Sequence, residues 1–442
     1  MAALDRVRGV PAAVVVGLGA AVISSGRLWL GNHSALTEVI WAEDGVFPLC
    51  IEKAGFFTCL TDPFAGYLLL LPRLLAGVVS MFPVASWALV TNVLAALFGG
   101  LVCGFSFAWA RRFGAGWVAA LAIGLLSVLA PVVGFEAINA LGSSYMLLLY
   151  VSTLVLVMPR AADEKAATGW GWLGIAAVAA LLLVTSLTIP TAGVFLALIA
   201  VQLARRAINL RAAITWAAAI VLGLFAQLLT AINAAKPRAI EASADSFGTW
   251  LGSLPDTVLT YWPGMRLGDY DFVGVFPVVA SPLSGTLVAL AFVVGGILLV
   301  VRGQDRNVAI GLLLLTGVVV GAVPTIIGGP NNRYFVVPAL LWGAAAMLAL
   351  DPVIRRARWW VVALVVALVA VIWWPMIPAR PFRADPTPPW TDEVARVEAK
   401  CQADPAATER LIFSPYWPPN WGDGLAEPTH PDIPCLVVWK WR

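Results

Sequence analysis

The sequence predicts an all-α polytopic membrane protein of about eleven transmembrane helices, followed by a small extracytoplasmic α/β tail. Three observations carry that expectation. The 442 residues are 60% hydrophobic and only 12% charged, about half the charge content of a soluble domain, and the mean hydropathy is +0.88. Apolar stretches of spanning length recur along most of the chain. Arg and Lys gather after every second stretch, as they do in the cytoplasmic loops of membrane proteins. The net charge of +3 is too small to argue for a nucleic-acid partner; membrane lipid is the expected surrounding.

In order, the stretches fall near residues 11–30, 84–110, 115–133, 142–158, 170–189, 190–204, 212–232, 283–301, 307–327, 334–350 and 358–374. The run from Pro11 to about Leu30 follows Asp5, Arg6 and Arg8. It is longer than the roughly 7–15 apolar residues of a cleaved signal core, so it reads as a retained signal anchor. The clusters Arg6/Arg8, Arg111/Arg112, Arg160/Lys165, Arg205/Arg206/Arg211, Arg302/Arg306 and Arg355/Arg356/Arg358 then share one face, read as cytoplasmic together with the N-terminus. Loops 31–83 and 233–282 and the tail from Pro375 fall on the other side. One further segment, Gly66 to Phe82, is apolar enough to span but holds Pro72-Arg73 at its centre. Charge is costly there, and a crossing would invert every later cluster. It reads as a helix lying in the outer interface or re-entering from it.

Two domains follow: a transmembrane domain over 1–374, including both long outer loops, and a tail domain over 375–442. The tail is Pro-rich and polar, with a helix predicted over Asp392–Lys400 and a strand over Arg410–Phe413. So short a segment makes a small core and needs stapling or docking. Cys50 and Cys59 share the first outer loop, Cys401 and Cys435 share the tail, and Cys103 stands alone in a span. Even numbers in each outer segment predict two disulfides in an oxidising compartment. The chain has only two His, His33 and His430, and no Cys-x-x-Cys, so no metal site is expected. No cofactor requirement is legible, and the need for a divalent metal is left open. Many of the 20 Trp mark span ends and read as an interfacial belt; outer indoles such as Trp41 also suit stacking on sugar.

Four outer constellations could carry chemistry. Glu38, Trp41, Glu43 and Asp44 belong to the first outer loop, and a helix over Ser34–Val46 would align Glu38 with Trp41 and set Asp44 one turn beyond. A carboxylate near apolar walls becomes a useful base near neutral pH. Glu136 and Asn139 lie one helical turn apart before Ser143-Ser144-Tyr145 and suit a hydroxylated ligand. Asn332-Arg333-Tyr334 follows a Gly-Gly-Pro turn at a helix start; Arg333 breaks the positive-inside pattern and suits a phosphate. The loop 233–282 carries scattered charges, of which Lys236 and Arg238, with Arg73 of the first loop, are further outer cations.

The arrangement resembles the GT-C superfamily of membrane glycosyltransferases. The acidic pair Glu43-Asp44 is similar to the acidic feature of that group's first outer loop, the Gly66–Phe82 helix to its second interfacial helix, and Arg333-Tyr334 to its late outer-loop arginine. The resemblance implies sugar transfer from a polyprenyl-phosphate donor to an envelope glycan or lipid acceptor on the outer face, with inversion. Asp44 would be the base and Glu43 its partner. Arg333, Tyr334, Asn332, Arg73, Trp41, Glu136 and Asn139 would bind substrate. The Ala/Val/Gly/Trp-rich composition points to a bacterial inner membrane. Two other readings fit the same pattern: a transporter or flippase of lipid-linked glycans, which would hold ionisable groups near the bilayer midplane, and an envelope glycan polymerase or ligase using lipid diphosphates. A non-catalytic scaffold is a further alternative.

Overall fold

The computed structural model describes residues 2–31, 33, 35–41, 43–64, 66–130, 140–158, 171–233, 248, 251–252, 254, 282–328, 332–373, 388–412 and 432–438. They are mostly helical. In chain order the helices are α1 (Ala2–Gly31), α2 (Ala35–Glu38), α3 (Glu43–Ala54), α4 (Phe56–Thr61), α5 (Leu70–Val79), α6 (Trp87–Arg112), α7 (Trp117–Leu129), α8 (Ser144–Leu156), α9 (Trp172–Thr188), α10 (Val194–Ala204), α11 (Leu210–Asn233), α12 (Pro282–Arg302), α13 (Asp305–Gly328), α14 (Val336–Arg356), α15 (Trp359–Trp373), α16 (Trp390–Ala403) and α17 (Cys435–Val438). Strands β1 (Thr408–Arg410) and β2 (Asp432–Pro434) pair antiparallel.

Among the described residues, six helices are long and apolar enough to cross a membrane: Val10–Leu30, Val84–Arg112, Leu210–Asn233, Gly285–Arg302, Asp305–Pro324 and Val336–Arg356. The chain is an integral membrane protein. Shorter apolar helices at Trp117–Leu129, Ser144–Leu156, Trp172–Thr188, Pro190–Ala204 and Trp359–Ala370 coincide with the remaining predicted spans. α7, α8 and α14 form the centre of the bundle, where Ile123, Tyr150, Leu340 and Leu341 are fully enclosed. α12 and α15 present most of their Leu and Val side chains outward, as lipid-facing helices do. Buried polar side chains are turned onto neighbouring backbone: Gln202 Nε2 donates to Leu156 O at 2.6 Å, and Trp216 Nε1 donates to Ile175 O at 3.1 Å.

The basic loops converge on one end of this bundle. Arg306 pairs with buried Asp351 at 3.0 Å, Arg355 pairs with the same carboxylate at 2.9 Å, and Gly116 N–H donates to it at 2.8 Å. Arg112 reaches Met158 Sδ at 3.5 Å. Arg205 donates to Val300 O at 2.8 Å and lies 4.0 Å from Asp305. These contacts bring the described ends of the loops after α6, α8, α10, α12 and α14 together at one end of the bundle.

α5 is the α-helical part of the predicted interfacial segment Gly66–Phe82. Ten residues give about 15 Å of helix, half the hydrocarbon thickness of about 30 Å, so α5 does not cross. It packs at the end opposite the basic loops. The tail docks at that same end: Trp390 stacks on Trp87 with centroids 6.3 Å apart and donates to Val84 O at 2.7 Å. Val394, Val397, Cys401, Leu411 and Ile433 close a core with Leu49, Val79 and Val84. Two disulfides are present, Cys50–Cys59 and Cys401–Cys435, and Cys103 is free and buried. The tail helix runs further than Asp392–Lys400 in both directions, because Trp390 is its anchor in the core. The strand sits earlier than Arg410–Phe413, at Thr408–Arg410, where it finds its partner β2.

Candidate active site

The expected continuous helix over Ser34–Val46 is not what the first outer loop forms. α2 ends at Glu38, the chain turns through Val39, Ile40 and Trp41, and α3 starts at Glu43. The cause is tertiary: Asn92 of α6 donates its side-chain amide to Leu36 O at 3.1 Å and to Val39 O at 3.0 Å. Those carbonyls are thereby drawn away from helical partners. Glu38 and Trp41 do not share a helix face. Glu38 accepts from Thr391 N at 3.1 Å and Thr391 Oγ1 at 2.8 Å, which caps the tail helix from outside.

Asp44 now lies in the first turn of α3, where a helix start favours negative charge. Its own N–H donates to Trp41 O at 2.8 Å, and its side chain is 1% exposed. One carboxylate oxygen accepts Leu141 N–H at 2.9 Å, and the other accepts Gly142 N–H at 2.5 Å. Two successive main-chain amides before α8 therefore fix the carboxylate in orientation. They use two of its about four acceptor sites.

One turn further along α3, Phe47 is buried and carries on its ring the guanidinium of Arg73, with Cζ 5.3 Å from the centroid. Arg73 is 3% exposed, and its Nε and Nη1 have no hydrogen-bond partner among the described residues. Burial pulls its pKa down and the charge of Asp62 pulls the other way more weakly. A guanidinium nonetheless keeps its proton at any physiological pH, so a cation is held inside with incomplete compensation. Its helix cannot simply swing out. Gln227 of α11 accepts Leu68 N–H at 2.8 Å and donates to Leu68 O at 3.2 Å, and Thr188 of α9 accepts Leu71 N–H at 3.1 Å. Leu69, Phe64, Tyr67 and Tyr145 pack around the same Phe47 cluster. The result is a buried carboxylate held by two main-chain amides and, one helical turn along α3, a buried guanidinium against the Phe47 ring.

Of the other expected site residues, Trp41 is half-buried and supports Asp44 through its carbonyl. Glu43 opens α3, and its side chain lies outside the described residues, as do those of Asn332 and Arg333. Asn332–Phe335 is a 3-10 turn leading into α14 at the same end of the bundle as Asp44, with Tyr334 half-buried. Glu136, Asn139, Lys236 and Arg238 lie outside the described residues. Among the described residues no group of three or more His, Cys, Asp or Glu is placed to hold a metal ion. The sequence reading missed Leu141 and Gly142, which act through main-chain amides, and Phe47. It also passed over Asn92, Thr188 and Gln227, whose signal was a lone polar side chain in an apolar span.

No protein-family model matches the chain, and no curated protein does. Among solved structures, ArnT from Cupriavidus metallidurans bound to undecaprenyl phosphate is similar over 76% of this chain and 60% of its own, at 16% identity and a TM-score of 0.44. The same protein in the apo state is similar over 79% of this chain and 78% of its own, at 17% identity and a TM-score of 0.34. The chain thus spans about 60% of the length of the first of these. At these values neither residue roles nor substrate pass from one protein to the other.

Proposed function

We propose that the protein is a GT-C-type glycosyltransferase that moves a sugar from a polyprenyl-phosphate donor to an envelope glycan or lipid acceptor on the outer face of a bacterial inner membrane. One observation supports the reading: α3 carries a buried carboxylate fixed by two main-chain amides and, one turn further along, Phe47, on whose ring lies the buried guanidinium of Arg73, with Nε and Nη1 lacking a hydrogen-bond partner among the described residues. A buried unpaired cation is expensive unless an anion joins it, and a lipid phosphate supplies such an anion.

In the proposed reaction the acceptor hydroxyl oxygen attacks the anomeric carbon and forms the new glycosidic bond, while the bond from that carbon to the phosphate oxygen breaks. Asp44 takes the hydroxyl proton. The electron pair of the broken bond stays on the departing polyprenyl phosphate, whose charge Arg73 stabilises, joined by Arg333 and Tyr334 from the turn before α14. Attack opposite the leaving group inverts the anomeric centre. Glu43, Trp41, Asn332, Glu136 and Asn139 complete the acceptor and donor contacts in this proposal. An oriented base and a preorganised cation each contribute on the order of 10²–10⁴ in rate.

The test is turnover of radiolabelled polyprenyl-phosphate sugar by purified full-length protein. Asp44→Asn is nearly isosteric but keeps an acceptor for only one of the two main-chain amides; it is expected to lower kcat about 10²–10⁴-fold while the variant still elutes as a folded species. Turnover within threefold of the parent removes Asp44 as the base.

A further inference from the structure

A trough at the other end of the molecule is independent of the reaction proposed above. α1 and α6 cross with their backbones in contact: a Cβ on Gly104 would stand 2.5 Å from Ala13 O, and one on Gly17 would stand 2.8 Å from Gly100 O. With no side-chain volume over this seam, the outward face of the pair is a trough of about 1050 Å³. Its floor is Gly17, Gly100 and Gly104, and its walls are the exposed Val14, Leu18, Leu97 and Leu101.

The trough has a measurable length. Along α1 it extends from Ala21 to Val10, about 17 Å at 1.5 Å per residue. That is the depth of one leaflet, half of about 30 Å. It ends at Arg111, Arg112 and Trp117. Both arginines are exposed, yet both are held in place: Arg111 lies with Cζ 5.1 Å from the Trp117 ring centroid and donates to Ala115 O, and Arg112 reaches Met158 Sδ at 3.5 Å. Among the described residues neither has a carboxylate within ion-pair distance. This sets them apart from Arg306 and Arg355, which share Asp351, and from Arg205, which faces Asp305.

We infer that the α1–α6 trough is a binding site for one anionic glycerophospholipid of the leaflet at the basic end, its acyl chain along the Gly17–Gly100–Gly104 seam and its phosphate between Arg111 and Arg112. A single-leaflet trough fits a glycerophospholipid chain and is too short for a long polyprenyl tail. Two positioned guanidiniums beside an interfacial Trp, with no carboxylate at ion-pair distance among the described residues, select an anionic headgroup over a zwitterionic one.

The experiment is native mass spectrometry of the full chain released from phosphatidylcholine nanodiscs carrying graded phosphatidylglycerol. The expected result is one phosphatidylglycerol retained per chain in clear preference to phosphatidylcholine. R111Q/R112Q is expected to lower that preference roughly 10- to 30-fold, at about a factor of five per cation. Leu101→Trp, which fills the trough and leaves the arginines intact, is expected to lose the retained lipid as well, and it decides the matter if the arginine pair variant does not fold. Millimolar glycerol 3-phosphate is expected not to displace the lipid. Equal retention of phosphatidylcholine, unchanged retention by both variants, or displacement by free glycerol 3-phosphate would each overturn the site.

Discussion

Arg73 is where stability and activity are set against each other most directly. A cation that is 3% exposed, with Nε and Nη1 unpartnered among the described residues, destabilises the protein alone, since the face of Phe47 replaces only part of its lost hydration. Arg73→Met keeps the apolar stem and removes the charge. Its melting midpoint in detergent is therefore expected to equal or exceed that of the parent, by about 1–3 kcal/mol in unfolding free energy. The same variant is expected to lose the thermal stabilisation that polyprenyl phosphate gives the parent. A structural guanidinium would behave the opposite way, with a lower midpoint and an unchanged response to lipid phosphate. Asp44 and Arg73 were both legible in the sequence, for one reason: charge beside or within an apolar run needs an explanation. Their fastening was not. The donors to Asp44 are the main-chain amides of Leu141 and Gly142, and a main-chain amide leaves no mark on residue identity.

At the scale of elements, the first outer loop takes its shape from distant partners. Asn92 holds the turn between α2 and α3 from 53 and 56 residues away, which is why local periodicity wrongly extended one helix through Val46. Removing that amide leaves two buried carbonyls short of donors at a cost of about 1–3 kcal/mol. Asn92→Ala is thus expected to increase hydrogen exchange over 36–47 and to lower kcat, with α12 to α15 unaffected. The tail gives a pH prediction. Glu409 receives hydrogen bonds from Lys400 at 3.0 Å and Arg396 at 3.3 Å, and these hold its pKa below the ordinary glutamate value, Lys400 most strongly. A carboxylate depressed in the folded state adds stability above its unfolded pKa, and that stability is lost as pH falls. Exchange protection of α16 and β1 is expected to drop on acidification below about pH 4.3, and Glu409→Gln is expected to flatten that step. Reduction of Cys401–Cys435, which closes a separation of 34 residues, is expected to destabilise the tail by about 3–4 kcal/mol in the chain-entropy account.

For the whole molecule, the question is which end faces which compartment. Composition alone made the bundle legible because spans are local: each is an apolar run whose length and flanking charge can be read without knowing its neighbours. Packing adds what the runs do not contain, namely that the basic loops touch one another through Asp351, Met158 and Asp305 while Asp44, Arg73 and Trp390 gather at the far end. One end is therefore basic and the other carries both disulfides, as is usual for a cytoplasmic and an oxidising face respectively. Cysteines introduced at exposed positions of the two ends, Arg356→Cys and Asp404→Cys, report this directly, since Cys103 is buried and the remaining four are paired. A membrane-impermeant maleimide is expected to label Asp404→Cys in right-side-out vesicles and Arg356→Cys only in inverted ones. Labelling of both from one side would mean an even number of crossings between them, and would remove the outer-face placement of Asp44 together with the alternation on which it rests, because among the described residues only α15 separates position 356 from the tail.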